Sequence, residues 1–171
     1  MFVRARAVYE KLLEVIVIIL MVALAVEVTV GVLFRTFGAA LVWYDEVASI
    51  LLAWLTFYGS ALAAAKRSHI GCPEVVAMMP PAVRVFLRIV VEVLVIAFFI
   101  VVGWVGYSIL DVLATDNLVS LPAISVKYTQ SVIPVGAFLI VIAEFLTLPA
   151  ALAEARRGSV AEAEQAGGAT H

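Results

Sequence analysis

The chain has 171 residues, of which 65% are hydrophobic and only 14% charged, and its mean hydropathy is +1.15. A soluble domain carries about a quarter of charged residues, so this composition excludes a single water-surrounded core and reads as an all-α integral membrane protein. The net charge of −2 excludes little, because the placement of the charges carries the information and their sum does not.

The amino-terminal flank holds Arg4, Arg6 and Lys11, and the first apolar run follows from about Leu12 to Phe34. At 1.5 Å per residue it is long enough for about 30 Å of hydrocarbon. Arg4, Arg6 and the small residues Ala23-Leu24-Ala25 imitate a cleavable signal. Glu14 inside the run and its continuation to Phe34 weigh against cleavage. Lys11 and Glu14 are three residues apart and make a pair near the inner end. Glu27 lies about two turns inside the outer boundary with no basic residue at i±3 or i±4. It is either protonated, bonded to another helix, or turned to a partner protein, and structural and transport roles are evenly matched.

The second span runs from about Val47 to Ala65. Trp43 and Tyr44 precede it as an aromatic belt. Asp45 and Glu46 fall in its first turn, where carboxylates meet free N–H groups and the positive end of the helix dipole. They read as an anchor and helix start, with an ion site as the alternative. Gly59, Ser60, Ala61, Ala63, Ala64 and Ala65 form a small-residue cluster, with Gly59/Ala63 and Ser60/Ala64 at the spacing that permits close approach of helices.

Lys66, Arg67 and His69 follow, and the prolines of GCPEVVAMMPPAVR indicate a short interfacial helix between the second and third spans. Arg84, Arg88 and Glu92 recur every four residues where the third span begins, so Arg88 and Glu92 pair in the less favoured order and the arginines reach lipid headgroups. The third span covers about Ile89 to Leu110, thinned by Gly103 and Gly106, with Asp111 and Asp116 solvated beyond it. The fourth covers about Val132 to Leu152. It contains Glu144, a second intramembrane acid without a basic neighbour on its own helix. Residues 1–152 therefore form one four-helix membrane domain, and 153–171 a disordered tail.

Nine of the eleven basic residues lie on one side if both termini are cytoplasmic, leaving only Arg35 and Lys127 outside. Four short spans without inverted repeats make a poor carrier alone and point to a subunit of something larger. The single Cys72 excludes an internal disulfide and a Cys-rich metal site, and His69 and His171 are the only histidines. No phosphate loop, zinc-protease motif or nucleic-acid stripe is present. Neither an enzyme nor a cofactor is expected.

The order of motifs resembles the small membrane subunit of tripartite ATP-independent periplasmic (TRAP) transporters, the DctQ-type family. WYDEVA supplies a tryptophan and an acid at the second span, Trp43 and Glu46, and Gly59 stands midway along it. KRSHIG supplies Lys66, Arg67, His69 and Ile70. SLPAISVKY and YTQSVIPVG supply Pro122, Ile124, Tyr128, Pro134 and Gly136. The resemblance covers roughly Val42 to Gly136. It departs at Cys72, where an acid commonly stands, and at an early proline in the outer loop.

The resemblance implies a subunit in the bacterial inner membrane that packs on a larger, sodium-driven membrane subunit of about a dozen hydrophobic segments. It implies a second partner, a periplasmic substrate-binding protein that delivers organic acids. These motif residues then serve structure and partner contact, and Lys66, Arg67, Arg84 and Arg88 hold the cytoplasmic face. Two rivals remain: a four-helix proton-coupled multidrug-type exporter using Glu14 or Glu27, and a haem-bearing anchor, which lacks intramembrane histidines.

Overall fold

The structure, a computed structural model, describes residues 2–66 and 80–168. The interfacial helix expected between the second and third spans, together with Arg67, His69, Ile70 and Cys72, lies outside the described residues.

Four long helices dominate: α1 (Phe2–Thr36), α2 (Tyr44–Lys66), α3 (Pro81–Val112) and, after the five-residue α4 (Val126–Gln130), α5 (Val132–Gly168). All four carry windows long and apolar enough to cross a membrane. Each exceeds the apolar run that marks it in the sequence, because a helix continues past the hydrocarbon wherever its residues permit. α1 takes in Arg4 and Arg6, and α3 takes in Arg84 and Arg88. Pro81 opens α3, a position where its missing N–H is no loss. The helix α5 continues to Gly168, into the stretch whose composition suggested a disordered tail. That stretch is rich in Ala and Glu, both strong helix formers.

The connection between α1 and α2 turns at Gly38, whose φ of 76° suits glycine. There Gly38 N–H donates to the Arg35 carbonyl at 3.1 Å and Ala39 N–H to that of Phe34 at 3.0 Å. A one-turn 3₁₀ segment, Leu113–Thr115, ends α3.

The helices form an open row. α1 packs on α2, α2 on α5, and α5 on α3, so α1 and α3 are the two edges. Burial is concentrated in α5: 39% of the apolar window of the last span is buried, against 11% for α2 and 6% for each of the edge helices α1 and α3. The centre of the row is Leu13, Ala61, Ala64, Ala65, Ile140 and Ala143, flanked by Tyr9, Tyr58, Leu62, Phe99 and Leu139. Three alanines on one face of α2 let α1 and α5 approach closely, which is how helices associate where lipid removes the hydrophobic drive. The small-residue cluster thus divides. Ala61, Ala64 and Ala65 face the core, whereas a Cβ at Gly59 would meet nothing within 4 Å and Ser60 is exposed.

Glycines mark the other close approaches. A Cβ on Gly31 would fall 2.0 Å from the Tyr44 ring, and one on Gly136 would fall 2.6 Å from Phe57. At Gly106 it would meet Ile133 at 2.8 Å.

Candidate functional site

The end of the molecule that carries the α1–α2 and α3–α4 connections holds the most organised irregular structure. α2 begins there: the Trp43 carbonyl accepts from Val47 N–H at 3.0 Å, and Asp45 and Glu46 occupy the first turn. Asp45 is exposed. The Glu46 carboxylate turns away from its own helix and takes two successive N–H groups of the α3–α4 loop. Val119 N–H donates to Oε1 at 3.1 Å and Ser120 N–H to Oε2 at 2.8 Å. Both carboxylate oxygens are thus used on one stretch of backbone, a charge-assisted arrangement.

The loop receiving this clamp is itself cross-tied. Asn117 and Ser125 form an antiparallel bridge, Leu118 N–H donates to the Ile124 carbonyl at 3.0 Å, and Val126 N–H to that of Asp116 at 2.9 Å. Leu118 is buried beneath it. Ser125 caps α4 by accepting from Lys127 N–H at 3.3 Å. Trp54 Nε1 then ties α2 to α4 by donating to the Thr129 carbonyl at 3.1 Å, and its ring stacks on Tyr58 at 6.0 Å. Of the motif residues here, Trp43 and Glu46 sit at the start of α2, Pro122 on the exposed loop, and Tyr128 on α4 with its side chain exposed. Pro134 and Gly136 open α5, the latter buried against Phe57.

The opposite end, where the described chain starts, is held by ion pairs. Arg6 reaches Glu10 at 2.7 Å and also donates to the Ala65 carbonyl at 3.0 Å, satisfying an end carbonyl of α2. Glu14 receives both Lys11, at 3.4 Å, and Lys66, at 3.2 Å. Lys66, read from sequence as a headgroup anchor, thereby joins α2 to α1. Arg88 and Glu92 pair despite their order, with Glu92 buried and Arg88 Nε buried and unbonded. The backbone of Arg84 lies in the first turn of α3. Tyr9, half-buried on α1, donates to the Leu139 carbonyl of α5 at 2.6 Å.

The two intramembrane acids stand apart, on α1 and α5. Glu27 Oε1 is buried without a hydrogen-bond partner. Glu144 is buried and borders a cavity of about 220 Å³ with Ser60, Val95, Phe99 and Ile140. Among the described residues no cluster of His, Cys, Asp and Glu has metal-binding geometry.

A family model described as "Tripartite ATP-independent periplasmic transporters, DctQ component" matches residues 24–154. The chain belongs to the DctQ family. The match spans the last third of α1, all of α2 to α4 and the apolar part of α5. No curated protein matches the chain in sequence. Membership makes this DctQ-family chain the small membrane component of a TRAP transporter, a component of transport machinery and not an enzyme. Such transporters also contain a large membrane subunit and a binding protein.

Sequence reasoning located Glu46 but not its target. The target lies 73 and 74 residues further on, and no local periodicity joins the two. The cap Ser125 and the turn-forming SLPAIS stretch were the available signals that this loop folds on itself.

Proposed function

We propose that this chain is the scaffold subunit of a sodium-driven, binding-protein-dependent transporter of organic acids in a bacterial inner membrane. Residues 1–152 are its membrane domain and both termini are cytoplasmic, as the nine-to-two distribution of basic residues favours. The chain widens the large membrane subunit's rigid body and helps dock the periplasmic binding protein. Solute and sodium are handled by the partner.

One observation carries this reading: a DctQ chain built as an open row whose two edge helices are only 6% buried over their apolar windows. A row of this shape offers a long side to another membrane protein. The motif residues Trp43, Glu46, Gly59, His69, Pro122, Tyr128, Pro134 and Gly136 serve its structure and partner contacts, and Lys66, Arg67, Arg84 and Arg88 hold the cytoplasmic face. Glu14 argues against an autonomous proton-coupled exporter, because a carboxylate held by two ammonium groups is a poor proton carrier.

The test is reconstituted uptake. Liposomes containing the large subunit and supplied with binding protein should take up solute only when this chain is present. Full uptake in its absence would refute the reading.

A further inference from the structure

One stripe of α3 changes character along its length. Arg88, Glu92, Val95 and Phe99 stand at i, i+4, i+7 and i+11, a single face of the helix. The first two are an ion pair, and the last two line the cavity between α2 and α3. Its other walls are Ser60 of α2 and Ile140 and Glu144 of α5. At about 220 Å³ it is smaller than the roughly 300–1,000 Å³ that encloses a drug-sized ligand. It is a slot for part of a longer molecule. Val95, Phe99 and Ile140 leave water too few partners to fill it.

Two groups beside this stripe have donors to spare. Thr29, Thr36, Ser49, Thr56 and Ser108 each return their hydroxyl to the carbonyl four residues back. Ser60, exposed at the rim of the slot, finds no acceptor among the described residues. Arg88 gives Nη2 to Glu92, yet its Nε is buried without a bond and its side chain is still 35% exposed. Arg84 lies one turn earlier, so Glu92 balances only one of two positive charges. Glu144 is not free, being held within the chain.

The depths match a phospholipid. Val95 lies seven residues beyond Arg88, and Ser60 six residues before Lys66. The slot therefore starts roughly 9–11 Å inside these basic residues. A headgroup layer is roughly 5–8 Å thick, and the acyl chains begin beneath it. We infer that the slot between α2 and α3 holds one acyl chain of a phospholipid, whose phosphate takes N–H donors of Arg88 and whose ester oxygen accepts from the Ser60 hydroxyl. Guanidinium and phosphate pair strongly, and basic pockets between membrane helices recognise lipid headgroups. An apolar side chain of a partner protein fits the space but brings no acceptor at either level. The site is the same whichever side of the bilayer Arg88 faces.

The experiment uses the full chain, extracted in mild detergent with the membrane partner it holds, stripped of lipid and titrated with a phosphatidylglycerol that carries a diazirine midway along one chain. After photolysis, crosslinks should concentrate on the segments with Val95–Phe99 and Ile140–Glu144. Ser60→Leu fills the slot from its rim and should lower them about tenfold or more, the scale of a lost binding contact, while labelling of exposed Ile18 and Ile19 on α1 stays unchanged. Val95→Phe fills the slot from α3 and carries the same expectation should Ser60→Leu fail to fold. The matching diacylglycerol, which lacks phosphate, should need about tenfold more for equal labelling. Equal labelling by the two lipids overturns the inference. So do crosslinks spread evenly over the exposed helix faces and insensitive to both filling variants, the mark of annular lipid only. Crosslinks at the slot in the chain alone that vanish in the assembled complex also overturn it, by giving the slot to the larger subunit.

Discussion

Glu46 and Gly31 show how single residues hold the loop end of this molecule. The Glu46 carboxylate replaces water on two amides of a loop far away in sequence. Its removal should therefore act locally. In Glu46→Ala, hydrogen–deuterium exchange should rise across Val119–Ser120 while the cores of α2 and α5 stay protected; protection unchanged at the loop would show that the bridge to Ser125 suffices. Gly31 is the steric counterpart. The Tyr44 ring occupies the space a side chain would need, so Gly31→Val should cost about 1–3 kcal/mol of stability through overpacking. Thermal denaturation in detergent should show the loss, and Tyr44→Ala in the same chain should restore part of it. At the other end, Tyr9→Phe removes one bond between α1 and α5. Interhelical bonds in membranes average about 0.6 kcal/mol, so a small drop in the thermal midpoint is expected and a large one would mean that Tyr9 organises more than this contact.

At the scale of helices, position in the row decides what a residue tolerates. α2 and α5 form the middle, and α2 meets both its neighbours through Ala61, Ala64 and Ala65. Enlarging Ala64, which is 2% exposed, forces α1 or α5 outward. Ala64→Leu should destabilise by about 1–3 kcal/mol, whereas Ile18→Leu on the exposed face of α1 should stay within about 0.5 kcal/mol. Equal effects at the two sites would contradict the row. The sequence displays six small residues in this part of α2, and helical spacing alone pairs them several ways. Which three become core depends on where α1 and α5 lie, and that is a property of neighbours. The outward shift of helix ends has a simpler cause: hydropathy reports where hydrocarbon ends, while helix formation persists through Arg, Ala and Glu.

For the whole molecule, the open row is the feature that bears on assembly. A closed bundle would bury all four helices comparably, yet α1 and α3 present Val15, Ile18, Ile19 and Val22 on one edge and Leu94, Phe98, Val101 and Trp104 on the other. Mild extraction followed by native mass spectrometry should find one copy bound to one much larger membrane protein. A homodimer with nothing else attached would instead favour the exporter reading and make Glu27, with its unbonded buried oxygen, the first residue to test.

Much of this protein follows from its sequence, because the bilayer imposes strong one-dimensional rules. Backbone polar groups must be satisfied within each span, so four apolar runs of sufficient length become four helices, and the TRAP-type motifs in their order point to the family. Local pairs were legible for the same reason: Lys11 with Glu14 and Arg88 with Glu92 need only helical spacing. Tertiary structure alone decided the order of helices in the row, the share of small residues that become core, the second ammonium on Glu14, and the hold of Glu46 on Val119 and Ser120. These join residues that no helical period relates. Their geometry is set when separate helices pack in three dimensions.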